Sequence, residues 1–253
     1  MPRTIIVVPC FNEQERFSPE AFRKFAEQWR DGAFLLVDDG STDNTLHILK
    51  DLEGSMPNSF AVLGLPKNVG KAEAVRSGFQ RAFQSAPEYV GFWDADLATP
   101  VDAVPLFETV FAGKPATEMV FGARVKLLGR RINRNALRHY LGRVFATAVA
   151  VVLGIEIYDS QCGAKLFRNS SSLRAIFNEP FLSKWIFDVE ILARFIILKR
   201  PLTPIDVADF VYELPLPEWI DKKGSKLRAV DFGRALVELW RIRRTLSSGS
   251  ELT

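Results

Sequence analysis

Cysteine is nearly absent from this sequence, with Cys10 and Cys162 the two copies in 253 residues. That is too few for a disulfide framework and, with no signal-peptide pattern at the start, leads to the expectation of a reducing compartment. Histidine is equally scarce, and His47 and His139 stand far apart, which argues against a zinc site. Charge of one sign does not dominate: 33 basic residues face 30 acidic ones, so no global field announces a nucleic-acid partner. Long hydrophobic runs are missing too. The apolar, charge-free stretch Val144 to Ile155 has twelve residues, short of the about 20 that a membrane-spanning helix needs. Nor is there a glycine-rich phosphate loop of the Walker or dinucleotide type, an internal repeat, or a Gly-, Pro- or Ser-rich linker that would mark a second domain.

What is present is alternation. Thr4-Ile5-Ile6-Val7-Val8 is a continuous β-branched run that fits a strand buried on both faces. Pro19 to Trp29 carries Phe22, Phe25, Ala26 and Trp29 at helical spacing. Ala33 to Val37, Phe60 to Leu65 and Tyr89 to Trp93 read as strands, separated by helices over Thr45 to Leu52, capped by Asp43, and over Ala72 to Phe83. This β-α-β-α-β-α-β order predicts an α/β fold, a mostly parallel open sheet flanked by helices, with ligands bound beyond the carboxyl ends of the strands. Val120 to Ala123 and Ala164 to Arg168 are further strand candidates. One helix or a pair is expected where Leu137, Leu141, Val144, Ala148 and Val152 recur, and another helix over Phe187 to Leu198. A basic amphipathic segment runs from Lys222 to Arg244, and residues 247–253 have little to bury and are expected to be mobile.

The polar signal sits at the strand ends. In Asp94-Ala95-Asp96, two carboxylates one residue apart can grip a hard divalent cation, the partner a nucleotide diphosphate needs beside carboxylates. The plainer alternative is a loop that caps a helix starting near Pro100. Asp38 and Asp39 end a neighbouring strand, where a carboxylate can accept from ribose hydroxyls or a base N–H, or simply shape a turn. Lys71, preceding a helix, is placed to meet a phosphate, with Gly70 permitting close backbone approach. Arg124 follows a strand, and Arg131, Arg134 and Arg138 recur at three and four residues, as along one helical stripe. Guanidinium forks suit phosphate oxygens; a solvated helix face or a nucleic-acid patch is the alternative, the latter weakened by the lack of interleaved aromatics. Asp188 and Glu190 flank Val189 in an otherwise apolar helix.

Seven segments now become specific by their order: Pro9-Cys10-Phe11-Asn12-Glu13, Val37-Asp38-Asp39-Gly40-Ser41-Thr42-Asp43, Asn68-Val69-Gly70-Lys71, Asp94-Ala95-Asp96, Gln161-Cys162-Gly163-Ala164-Lys165-Leu166-Phe167, Phe187-Asp188-Val189-Glu190 and Gly224-Ser225-Lys226-Leu227. Together they resemble family 2 glycosyltransferases over residues 4 to about 230. Within that family the resemblance is to the enzymes that glycosylate dolichyl phosphate with glucose, with the mannose synthases as near relatives. It implies a GT-A fold, taken as a single domain over 1–246: a nucleotide- and metal-binding half, 1–123, and an acceptor-binding half with amphipathic helices, 124–246, followed by the flexible tail 247–253. It implies a Mg2+ or Mn2+ ion held through Asp94 and Asp96, and a nucleotide site built from Pro9, Glu13, Val37, Asp38, Asp39, Lys71, Asp94 and Ala95. Arg124 and Arg138 are implied at the acceptor phosphate, with Arg131 and Arg134 beside them and Lys226 on a closing loop near the donor phosphates. Asp96, Asp188, Arg124 and Arg138 form the implied catalytic group, Asp188 positioning the sugar or acceptor. Where mannose synthases often carry Gln two residues after the second aspartate, this chain has Ala98, so no protein ligand is expected from that position.

The activity so implied is metal-dependent, inverting transfer of a hexose to a polyprenyl or dolichyl phosphate. UDP-glucose is the favoured donor and GDP-mannose the other candidate. The expected setting is a peripheral protein at the cytoplasmic face of a membrane, with the apolar stretch and the basic segment docked on an anionic surface. The acceptor decides what chemistry the protein must supply. A phosphate monoester, with a second pKa of about 6, is already a nucleophile at neutral pH, whereas a hydroxyl must lose a proton to a base. The rival readings are a soluble member of the family acting on a saccharide or small polyol with Asp188 or Glu190 as base, and a sugar-nucleotide-binding protein without turnover.

Overall fold

The computed structural model describes residues 1–133, 136–199, 207–222, 235 and 237–244, the side chains of 136–139 and 208 excepted. Its centre is β1 (Thr4–Cys10), flanked in parallel by β2 (Gly32–Asp38) and β4 (Tyr89–Trp93), so that Val7 lies between Leu35 and Phe92. β3 (Phe60–Gly64) extends the parallel half beyond β2. On the other side come β7 (Ala164–Arg168), β5 (Met119–Ala123) and β8 (Val211–Pro215), giving the seven-stranded order β3-β2-β1-β4-β7-β5-β8.

The β-branched run of β1 is buried on both faces because helices cover both. Ile5 and Val7 share a core with α3 (Lys71–Phe83), α5 (Ala136–Leu153), α6 (Ser171–Ile176), α7 (Phe187–Lys199) and the helical residues 237–244. Ile6 and Val8 point the other way, into a core with α1 (Pro19–Gln28), α2 (Thr45–Ser55) and α4 (Val104–Gly113). This is the period-two alternation of a strand, and it makes an α/β/α sandwich. Phe79 of α3 stacks on Phe177 with ring centroids 4.0 Å apart, which ties the first layer to the segment after α6.

Three outcomes differ from the sequence reading or sharpen it. β7 runs antiparallel to both β4 and β5, so the sheet is mixed beyond β4. Residues 136–153 form one helix rather than two. Arg131 does not belong to a helical stripe with Arg134 and Arg138: it lies in β6 (Arg131–Asn133), which pairs in parallel with β9 (Glu218–Ile220), and α5 begins only at Ala136. Spacing of three and four over so few residues fits a helix, yet the Arg131 N–H bonds the Pro217 carbonyl (2.9 Å) and fixes an extended chain there. β8, β9 and α6 were not expected, and α4 stands where a helix near Pro100 was the plainer alternative. Arg134, Lys226 and the tail 247–253 lie outside the described residues, as does most of the basic segment before residue 235.

Candidate active site

The carboxyl ends of β1, β2 and β4 meet at one edge of the sheet, and side chains stitch their loops together. Asn12, held at φ +50°, donates its N–H to Ser41 Oγ (3.0 Å) and accepts from the Thr42 N–H through Oδ1 (2.9 Å). The Glu13 N–H bonds Thr45 Oγ1 (2.8 Å), and Asp43 accepts from the N–H of Thr45 (3.0 Å), although the N-cap of α2 is Asn44 and not the Asp43 expected. Glu13 is buried and paired with Arg16. Pro9 and Val37 line up across the β1–β2 ladder, next to Cys10 and Asp38.

The two neighbouring aspartates divide their work. Asp39 accepts the N–H groups of Val69 (2.7 Å) and Gly70 (2.9 Å) and the Asn68 amide (3.1 Å), so its carboxylate organises the loop that leads into α3. Burial raises its pKa, and the Val69 and Gly70 donors offset part of that rise. Gly40, at φ +65°, makes the fit possible: a Cβ there would stand 2.4 Å from the Lys67 carbonyl carbon. Asp38 accepts from the Ser41 N–H through Oδ2 (3.2 Å), while its buried Oδ1 has no hydrogen-bond partner among the described residues.

At the end of β4, Asp94 and Asp96 are not helix caps. Asp96 Oδ1 accepts from the Ala98 N–H (3.0 Å), and the short turn that begins after Pro100 has no side-chain cap. Asp94 instead reaches Lys71, the first residue of α3, with Oδ1 2.5 Å from Nζ. Desolvation by the surrounding protein works against the Lys71 charge, but Asp94, Asp188 and Asp96 more than restore it and its pKa is raised. The Asp96 pKa is also raised, by desolvation first and by the Asp94 charge second. Among the described residues no three His, Cys, Asp or Glu side chains group to hold a metal alone. Two hard carboxylates are nevertheless the donor set of a Mg2+ or Mn2+ ion that takes its remaining ligands from water and substrate phosphates, so Asp94 and Asp96 fit such an ion.

Behind this pair lies a group that sequence reasoning missed. Lys165, fully buried on β7, has Nζ 2.7 Å from Asp188 Oδ1 and donates to the Cys162 carbonyl (2.5 Å). The Phe92 ring lies within cation–π distance of both lysines, 5.8 Å from Lys71 Nζ and 5.1 Å from Lys165 Nζ. A lysine in the apolar strand Ala-Lys-Leu-Phe-Arg was itself a signal, since a fully buried lysine needs a partner, and Asp188 in an apolar helix was its natural complement. Glu190 is engaged more completely: it accepts the N–H groups of Leu182 (3.0 Å) and Ser183 (2.8 Å) and pairs with Arg194, Nη2 at 2.6 Å. Burial raises the thiol pKa of Cys10 well above its usual value and that of Cys162 to about 11, which works against a thiolate at either position.

Arg124 follows β5, and its guanidinium forks Asp159, Nε to Oδ2 at 2.6 Å and Nη2 to Oδ1 at 2.7 Å. Asp159 was not singled out in the sequence because it lies in a loop with no local pattern. Arg131 is exposed on β6. Arg138 falls within α5, but its side chain is outside the described residues. The structure thus brings Pro9, Glu13, Val37, Asp38, Asp39, Lys71, Asp94, Ala95, Asp96 and Asp188 to one sheet edge and sets Arg124, after β5, at that same edge. Among the described residues no helix is long and apolar enough to cross a membrane.

The profile of the family described as Glycosyl transferase family 2 matches residues 5–174. A dolichyl-phosphate beta-glucosyltransferase of Trichomonas vaginalis is 30% identical over 94% of this chain and 70% of its own length. Those of Saccharomyces cerevisiae and Homo sapiens are 32% and 31% identical, each over 88% of this chain and 68% of its own length. Among solved structures, glucosyl-3-phosphoglycerate synthase from Mycobacterium tuberculosis in complex with Mn2+, UDP-glucose and phosphoglyceric acid superposes with a TM-score of 0.67 at 16% identity, over 96% of this chain and 80% of that one. A mannosyltransferase from Pyrobaculum calidifontis with GDP-mannose and Mn2+ gives 0.57 at 17% identity, over 96% and 61%. At such identities these two likenesses concern the fold.

Proposed function

Because this chain belongs to glycosyl transferase family 2, we propose that it is a metal-dependent, inverting enzyme that moves glucose from UDP-glucose to the phosphate of a dolichyl or other polyprenyl phosphate. The observation that carries the phosphate acceptor is the state of the two acids on α7. Glu190 is held by Arg194 and two backbone N–H groups, and Asp188 by the buried ammonium of Lys165, so neither is poised to take a proton from a hydroxyl. Two α7 acids engaged by buried cations suit an acceptor that is already ionised. The names of the relatives favour the same lipid phosphate and glucose as the hexose, and the UDP-glucose complex of a structural neighbour supports a donor of that class.

In this reading Asp94 and Asp96 hold a Mg2+ or Mn2+ ion, which when bound supplies positive charge against the leaving diphosphate. Lys71 anchors Asp94 and adds its own charge at the N-terminus of α3, where anionic oxygens are favoured. Asp39 fixes the loop before that helix terminus, and the floor formed by Pro9, Val37 and Asp38 receives the nucleoside. Arg124, Arg138 and the nearby Arg131 and Arg134 offer cations for the acceptor phosphate, and Lys226 for the donor phosphates. Residues 1–123 then serve the donor and 124–246 the acceptor within one domain. Exposed Tyr140, Val144 and Val151 on α5, with Trp240 and Arg244 on the helical residues 237–244, suit contact with the cytoplasmic face of an anionic membrane.

Two outcomes check the donor and acceptor assignments separately. A Cβ at Gly163 would stand 1.8 Å from Asp94 Oδ2. Gly163→Ala is therefore expected to displace that carboxylate and weaken metal-dependent UDP binding by roughly tenfold or more, read by calorimetry in Mn2+. Arg138→Ala is expected to leave UDP binding unchanged and raise the KM for polyprenyl phosphate; equal loss of both would undo the division of roles. The choice of donor is tested by offering UDP-glucose and GDP-mannose side by side in initial-rate assays. The proposal expects transfer from the former, and transfer from GDP-mannose alone would overturn it.

A further inference from the structure

Arg124 does not lie loose beside the site. Its N–H and its guanidinium all converge on Asp159: the backbone N–H reaches Oδ2 at 3.0 Å, Nε reaches Oδ2 at 2.6 Å and Nη2 reaches Oδ1 at 2.7 Å. The Asp159 side chain is 7% exposed and the Arg124 side chain 14%. The loop that carries Asp159 is fixed in turn from two elements. Glu213 of β8 accepts the N–H groups of both Tyr158 and Asp159, each at 2.7 Å, and Arg143 of α5 stacks over the Tyr158 ring at 3.8 Å while donating to its carbonyl at 3.0 Å. The Arg124 guanidinium carbon also stands 5.3 Å from the centroid of the Trp219 ring.

A guanidinium has five N–H donors. Side-on pairing with Asp159 engages Nε and one hydrogen of Nη2, which leaves both hydrogens of Nη1 and the second of Nη2 on the opposite edge. Nη1 has no partner among the described residues. That free edge, one hydrogen from each Nη, is the fork that accepts two oxygens of a phosphate. A guanidinium clamped on one edge and backed by an aromatic face loses little freedom when the other edge is filled, and such preorganisation favours binding.

We infer that Asp159 is a positioning residue for the acceptor: it holds Arg124 so that the Nη1/Nη2 edge meets the acceptor phosphate. The inference rests on the reading of Arg124 as a phosphate ligand. In this role Asp159 acts on the acceptor through the guanidinium that it holds.

The test uses initial rates of the full chain with UDP-glucose, Mn2+ and a short polyprenyl phosphate. Asp159→Asn keeps shape and one acceptor oxygen but removes the charge that orients the fork. It is expected to raise the acceptor KM about tenfold with the UDP-glucose KM unchanged. In an Arg124→Ala background the same substitution is expected to add less than it does alone, the signature of two coupled residues. Asp159→Glu is expected to restore part of the lost acceptor affinity, which a purely structural defect would not allow. Where Asp159→Asn lowers the melting temperature, the double-substitution comparison on KM still decides. An unchanged acceptor KM in Asp159→Asn, or effects that multiply with Arg124→Ala, would overturn this inference alone. Absence of any transfer to polyprenyl phosphate by the unsubstituted protein would instead remove the proposed function and this inference with it.

Discussion

Asp96→Ala is expected to lower glucose transfer by about 10^3-fold while leaving the melting temperature unchanged or slightly raised. The loss follows from the role proposed for the carboxylate: charge stabilisation at a departing diphosphate contributes several kcal/mol, and each 1.36 kcal/mol is about tenfold in rate. Folding has little to lose, because among the described residues this side chain bonds the Ala98 N–H alone, and its pKa is raised by desolvation and by repulsion from Asp94. Removing a carboxylate whose charged form is disfavoured in the fold relieves that repulsion. Turnover assays paired with thermal melts check both halves; a variant that keeps its activity would remove Asp96 from the site, and one that unfolds would make it structural.

Lys165→Met should have the opposite profile, a large loss of stability of about 3–5 kcal/mol, because it strands Asp188 as a buried, unpaired carboxylate. Against a typical total of about 5–15 kcal/mol this is severe. Replacing both partners, Lys165→Met with Asp188→Leu, should recover much of the loss, since a buried ion pair exchanged for apolar groups of similar size is often near neutral. Urea unfolding of the single and double variants gives the comparison. A single variant as stable as the parent would mean that the pair does not exist in solution. It would also free Asp188 for proton transfer, which reopens the hydroxyl-acceptor reading.

The sequence made some of this legible and hid the rest for identifiable reasons. β1, β2 and β4 could be read because strands buried on both faces write continuous apolar runs, and the acids at their ends mark where those runs stop. Asp94, Asp96 and Lys71 were recognisable from those positions, and the structure places Lys71 against Asp94. The direction of β7 was not legible, since polarity in a sheet is decided by partners distant in the chain. Arg131 was misread because β6 exists only through pairing with β9, some ninety residues later in register. Asp39 was read as a ligand contact, and its three bonds to the loop 68–70 became visible only when that loop was placed. Lys165 with Asp188, and Asp159 with Arg124, are long-range pairs of the same kind: each charge was present in the sequence, and its partner could be assigned only in three dimensions.

The central claim is that the acceptor is a phosphate and that the protein supplies no base. It is tested most directly by transfer of labelled glucose from UDP-glucose, with Mg2+ or Mn2+, to a short polyprenyl phosphate and to the matching polyprenol. The account predicts product from the phosphate alone. Transfer to a hydroxyl acceptor with none to the phosphate would contradict it and turn attention to Asp188 as a catalytic base.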